Sequence, residues 1–232
     1  MKILFKTFIL TIFICFAHFS AAENKDYLII YSKNIRGQEM KGYMTHDGEV
    51  VIEAKYRIAE TDKMYSMAIV LKDDGQWVGI DREENIILYP FIYDNGPDYV
   101  FEGLFRFVEN DKIGFTDLDG NKIIAAEFDF ADSFKEGLSE FAYGGHKEYD
   151  YVNEYWTWTG ATETGYINKY GQKFIRIIKT NDGQRVAWSR NGKRYYIDKD
   201  AKIIKEIDII GEEDKTETGG SQIKIKAEKH KQ

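Results

Sequence analysis

The stretch "DLDGNKII" (117–124) has counterparts in "THDGEVVI" (45–52) and "NKYGQKFI" (168–175), and a chain that keeps making one turn is building one unit repeatedly. Polar residues that open the turn stand at Thr45, Asp81, Asp117, Asn168 and Asp198, at offsets of 36, 36, 51 and 30 residues. Three places further on stand Gly48, Glu84, Gly120, Gly171 and Ala201. An Asp, Asn or Thr side chain at the first position accepts amides from the backbone ahead of it, and glycine at the fourth takes a positive φ that strains a residue with a Cβ. Glu84 and Ala201 therefore predict that their two copies either lack this turn or make it with a different geometry.

Aromatic and β-branched residues flank each turn, as in Gly114-Phe115-Thr116 before it and Ile123-Ile124 after it, which predicts two short antiparallel strands. A third strand is expected about 14 residues before the turn, where "MAIVL" (67–71), "EGLFRFV" (102–108) and "EGLSEFA" (136–142) recur. No stretch of convincing length carries a helical period. The fold class is all-β, an array of about five short antiparallel units, either open and solenoid-like or propeller-like, in which no unit buries its face alone.

These segments resemble the WG repeat family, also called the WG beta repeat or KWG repeat, whose unit reads roughly as EGL, then Trp-Gly-Tyr-Ile-Asp, Gly, a Val/Ile pair and a Tyr/Phe-Asp segment. The third copy carries the resemblance best through "FEGLFRF", "KIGFTDLDGNKII" and "EFDFADSFKEGL"; "GYINKYGQKFI" and "WVGIDREENIILYPFIYD" add to it, and the likeness runs over about 41–205. The eponymous Trp survives only as Trp77, followed by Val78 in place of Gly, and the other copies carry Lys41, Ile113, Thr164 and Arg194 there. The resemblance implies β-repeat structure and an interaction role, and it brings no catalytic residues.

Residues 1–22 read as a secretory signal peptide, with Lys2 and Lys6, an apolar run from Phe8 to Phe16, and the small residues Ser20 and Ala22 before the expected cut. The run is shorter than the roughly 20 residues a membrane-spanning helix needs. The expected mature chain is thus exported, periplasmic or extracellular, and not an integral membrane protein. A bacterial source fits this leader. Cys15 lies in the leader between Ile14 and Phe16, a poor setting for lipid attachment, so the mature chain has no cysteine and relies on burial and hydrogen bonding. The repeat domain is placed at 23–210, and the polar stretch 211–232 is expected to be a disordered tail. Losing Lys2 and Lys6 moves the formal charge from -7 to -9. With acidic and basic residues interleaved, a nucleic-acid partner is disfavoured.

The 51-residue offset marks an insertion at about 146–160. It carries Tyr149, Tyr151, Tyr155, Trp156 and Trp158, which are the candidate ligand- or partner-binding residues, since insertions in repeat arrays often map to the binding face. Three readings stand: a lengthened hairpin whose aromatics pack on the neighbouring sheet, a protein interface, and a glycan platform. Trp156 and Trp158, two apart, share a strand face, and only an exposed face favours binding. "DLDG" lacks the further ligands of a calcium loop. With no HExxH, GxSxG, phosphate loop or cysteine nucleophile, no metal, cofactor or catalytic residue is expected. The chain reads as a non-enzymatic module for a protein or envelope-glycan partner; the alternative is a protein that binds or hydrolyses envelope polysaccharide.

Overall fold

The computed structural model describes residues 26–93, 95–150, 155–207 and 225–226. Within them the repeated turn takes one form in all five copies. The amide at the fourth position donates to the carbonyl of the first, as in Gly120 to Asp117 at 3.2 Å, and the first amide donates to the carbonyl of the fifth. With only the fourth residue at positive φ, this is a type I turn closed by a bulge. Oδ1 of Asp81, Asp117, Asn168 and Asp198 each accepts two amides from the turn ahead of it.

Glu84 (φ 66°) and Ala201 (φ 56°) adopt the same geometry as the glycines, contrary to the expectation for those two turns. Left-handed backbone costs a residue with a Cβ roughly 1–2 kcal/mol, and contacts to the neighbouring unit offset it. The Glu84 carboxylate pairs with Lys55 and accepts the Tyr56 hydroxyl at 3.4 Å. Ala201 is fully buried, and its carbonyl accepts Asn168 Nδ2 at 2.8 Å.

Each unit is an antiparallel three-stranded meander. The first comprises β1 (Leu28–Ile35), β2 (Gln38–Met44) and β3 (Val50–Tyr56), followed by the short β4 (Ile58–Ala59) and β5 (Lys63–Met64). The second is β6 (Met67–Leu71), β7 (Trp77–Asp81) and β8 (Ile86–Pro90); the third is β9 (Phe105–Glu109), β10 (Lys112–Thr116) and β11 (Lys122–Phe128). After β12 (Phe130–Ala131) comes the fourth, β13 (Leu138–Asp150), β14 (Tyr155–Asn168) and β15 (Lys173–Phe174). After β16 (Arg176–Lys179) comes the fifth, β17 (Arg185–Trp188), β18 (Arg194–Ile197) and β19 (Ile203–Ile207). The Glu-Gly pairs that open the "EGL" segments are not strand: Glu102-Gly103 and Glu136-Gly137 are at positive φ, the centre of a type I′ turn that delivers the chain into β9 and β13.

The chain passes from unit to unit by strand pairing. β4, the end of β8, β12 and β16 leave one meander and pair antiparallel with the first strand of the next, β6, β9, β13 and β17. The first strand of the first unit, β1, pairs at its outer edge with β5. The sheets have ends, and none closes on itself. The described part of the 211–232 segment is β20 (Ile225–Lys226), which pairs with β14 at Thr157 and Trp158.

The cores lie between units. Tyr43 and Ile52 of the first meet Val70 and Ile80 of the second; Ile69 and Leu88 of the second meet Phe105 and Phe107 of the third; Phe115 and Ile124 of the third meet Phe141 and Ile167 of the fourth. A first strand such as "MAIVL" is apolar at every place because its two faces serve two cores. Opposite the residue two before each turn stand Ile52, Leu88, Ile124 and Phe174, all buried, but exposed Lys205 in the fifth unit. Exposed Gln184 likewise takes the place of Met67 and Leu138, so the outward face of the fifth unit has the polar character of a capping repeat.

The WG glycine has a steric cause. Opposite Gly114, between the pairs Ile113–Phe128 and Phe115–Ile124, three residues of β11 bulge towards the glycine. A Cβ there would lie 2.6 Å from the Ile124 carbonyl oxygen and 2.7 Å from Ala126 N, with the Phe107 ring covering the other side. Cross-strand partners at this position trade volume: Tyr31–Gly42, Phe107–Gly114 and Phe141–Gly165, but Val70–Val78 and Ala187–Tyr195. Opposite Tyr195, where a side chain replaces the glycine, β19 pairs directly through Glu206 without the wide bulge.

Burial between the fourth and fifth units pushes the Glu140 carboxyl up from its usual range, and the negative charge of Asp132 adds to this. A raised folded-state value means that folding favours the protonated acid. Stability from this group is complete below the unfolded value and is lost as pH rises through the folded one.

Two predictions follow from the packing. Gly114→Ala lowers stability by about 1–3 kcal/mol in urea unfolding, the range for overpacking against atoms that cannot move aside, while Gly79→Ala loses less because its obstacles are side-chain atoms of Leu88 and Met67. Glu140→Gln raises the Tm at pH 7 and leaves it unchanged at about pH 3, below the carboxylate range; an equal gain at both pH values would contradict the assignment.

Candidate functional site

The insertion lengthens one hairpin: β13 and β14 run 13 and 14 residues and stay paired out to Asp150 and Tyr155. Gly144 and Gly145, both at positive φ, sit at a register shift that bends the outer half of the hairpin. A Cβ on Gly145 would lie 2.6 Å from Trp158 Nε1, so only glycine lets the two strands approach there.

The bend folds the tryptophans inward. Trp156 is 8% exposed and meets Phe130 edge-on with centroids 5.8 Å apart; Trp158 stacks on the same ring at 5.5 Å and donates Nε1–H to the Gly144 carbonyl at 2.9 Å. The shared face exists, and it is turned onto β12 rather than to solvent, which is the arrangement of a lengthened hairpin packed on its neighbour. Lys147 Nζ covers Trp156 from 4.2 Å, and burial holds its ammonium below the ordinary value. Tyr149 is 52% exposed. Tyr151 lies outside the described residues, and Tyr155 contributes the first backbone position of β14. Of the candidate side chains that are described, Tyr149 is exposed, and Trp156 and Trp158 are packed on Phe130.

A second feature, unmarked by any motif, is a cleft of about 760 Å³ beside the junction of the second and third units. This lies within the 300–1,000 Å³ of typical ligand sites. Its floor is Met67, Ile69 and Phe105; residues 60–65 border one side and 95–100 the other, and Leu118 and Asp119 of the third unit's turn close one end. Leu118 and Tyr99 are each 60% exposed, and Val100 and Tyr65 are exposed too. Tyr93 lines the cleft and packs on the Trp156 cluster, linking it to the long hairpin.

The far wall is held by a buried ion pair. The connection from β8 to β9 is longer than its counterparts between other units, and Asp98 on it is gripped by Arg106: Nε to Oδ2 and Nη2 to Oδ1 are both 2.7 Å, and the Arg106 amide adds a third bond. The two side chains are 2% and 3% exposed. Arg106 Nη1 also donates to the Ala131 carbonyl at 2.9 Å, and the guanidinium lies 4.4 Å from the Phe91 centroid. Tyr99 and Val100 follow Asp98 directly, so this bidentate pair fixes the exposed wall to the core.

The acidic rim is sparsely paired. The carboxylates of Glu60 and Asp62 make no hydrogen bond or ion pair among the described residues, and Asp119 Oδ1 accepts the Ser66 hydroxyl at 2.6 Å. The cation in the lining, Lys63, has its Nζ 5.0 Å from the Tyr27 centroid. No group of three or more His, Cys, Asp or Glu residues is placed to hold a metal among the described residues.

Sequence reasoning passed over this cleft because its residues come from three separated segments and no one segment is unusual. The nearest sequence signal is "YDNGPDYV" (93–100), which lengthens one connection and carries one of the chain's two prolines.

Asp98→Ala leaves a buried, unpaired guanidinium and costs about 3–5 kcal/mol, whereas Lys122→Ala, which breaks the exposed pair with Glu109, costs under about 1 kcal/mol. Equal small losses by chemical denaturation would mean that the Asp98–Arg106 pair does not anchor the wall.

Residues 113–145 match the family model described as the WG containing repeat, and no curated protein matches the chain. The matched segment begins in β10, crosses β11 and β12 and ends in β13, so it spans the junction of the third and fourth units rather than one meander. Over that segment the chain matches a WG containing repeat, and the segment lies within an all-β array of five meanders.

Proposed function

We propose that this chain is an exported, non-enzymatic WG-repeat protein that binds a macromolecular partner in the periplasm or outside the cell. The observation that carries the proposal is the cleft beside the second and third units, where Tyr99, Val100 and Leu118 stay exposed on a wall bolted down by Asp98 and Arg106. A preorganised apolar surface that the fold leaves uncovered lowers the ordering cost of binding. The leader-like residues 1–22 support export, and the WG repeat supports an interaction role. With Trp156 and Trp158 packed on Phe130, the sugar-platform alternative loses the surface on which it was built.

The test is capture of partners from a native cell envelope by the immobilised mature chain, beside a Tyr99→Ser/Leu118→Ser variant and a Tyr149→Ser variant, with proteins and glycans both identified. Loss of a protein partner in the cleft variant alone is the expected result. Loss in the Tyr149 variant alone would move recognition to the long hairpin, and glycans as the retained species would overturn the choice of partner.

A further inference from the structure

Resting on this reading of the cleft as the binding surface, we infer that its occupant is an extended basic peptide segment, one in which lysine or arginine alternates with apolar residues. Three features of the lining converge on that chemistry. The floor of Met67, Ile69 and Phe105 and the exposed Leu118 and Val100 take apolar side chains or the methylene stems of long cationic ones. Tyr65, Tyr93 and Tyr99 line it as well, and the exposed Tyr99 offers a ring on which an ammonium or guanidinium is held electrostatically.

The third feature is charge. Glu60, Asp62 and Asp119 stand on the rim against one lysine, and Asp98 is neutralised by Arg106. The Lys63 ammonium lies over Tyr27, whose ring is not part of the lining. The carboxylates of Glu60 and Asp62 take no hydrogen bond or ion pair from the described residues, so a cationic partner meets charges that need not first give up a protein partner. An acidic or phosphorylated segment meets like charge on the same rim, which selects against it. A segment rather than a small cation fits the shape, since the cleft runs between two chain connections, 60–65 and 95–100, and is lined by side chains from both.

The test uses the full chain and two fluorescein-labelled synthetic peptides, Leu-Lys-Leu-Lys-Leu and Leu-Glu-Leu-Glu-Leu, with fluorescence anisotropy for affinity and amide chemical shifts for location. The lysine peptide is expected to bind at least tenfold more tightly than the glutamate one, and to weaken tenfold or more in Glu60→Gln/Asp62→Asn and on raising salt from 50 to 500 mM. Its shift changes should fall on residues 60–69, 95–100 and 118–119. Both rim residues are exposed, and their carboxylates make no structural bond, so the variant leaves the fold intact. Unchanged affinity in it overturns the inference.

Equal binding of the two peptides, lost together in Tyr99→Ser/Leu118→Ser, would overturn the cationic preference and leave the cleft as a binding surface. Absence of peptide binding together with partner capture indifferent to the cleft variant would overturn both. A variant with Lys224, Lys226, Lys229 and Lys231 changed to serine that binds the lysine peptide when the natural chain does not would name the chain's own basic tail as the occupant. Concentration-dependent dimerisation abolished by Glu60→Gln/Asp62→Asn would name a second copy; either result displaces the separate partner.

Discussion

A meander of three short strands has two faces to cover and too few residues to cover either, and this array meets the difficulty by passing its backbone from sheet to sheet. After the third strand the chain crosses over and hydrogen-bonds to the first strand of the next unit. That handover brings the next meander face to face with the last, and the apolar clusters fill the spaces between them. A unit removed from the array would lose a strand partner at one edge and a core on each face at once, so stability is shared between neighbours.

The same geometry sets a ridge of polar locks. The turns of the second, third and fourth units reach the start of the first strand in the unit before them, Arg82 to Asp26, Asp119 to Ser66 and Lys169 to Glu102, and in the fifth the Asp200 backbone packs closely against Gly137. The locks differ in chemistry because their task is positional, and any pair that spans the gap serves. The polar pairs among them are half-buried or exposed, and such pairs contribute little on their own. The buried Asp98–Arg106 pair is of another kind, because it ties a connection whose own pairing is limited to isolated bridges to the first strand of the third unit, beside apolar side chains that remain at the surface.

The two candidate regions show how local sequence misleads about exposure. Five aromatics in fifteen residues look like a platform, yet a glycine pair sharpens the bend of the hairpin and Phe130, from another segment, offers the tryptophans a partner. Aromatic density records only that surface is available for burial; the bend and the neighbour decide whether it is buried. The cleft is the reverse case. Tyr99, Val100 and Leu118 are ordinary residues in ordinary turns, and they matter because Asp98 is pulled inward beside two of them.

The all-β class, the five units and the place of each turn were legible in the sequence, because a turn is a local event: one side-chain oxygen and one left-handed residue, three positions apart, define it. Even there, Glu84 and Ala201 take the left-handed place because of contacts with neighbouring units, which no turn rule contains. Only the tertiary structure assigned the large or small residue opposite each WG position, the polar face of the fifth unit, the inward turn of Trp156 and the position of the cleft. Each of these depends on which segments meet and in what register. That is a matter of strand pairing and of handover between units, and a repeat period by itself carries no record of it.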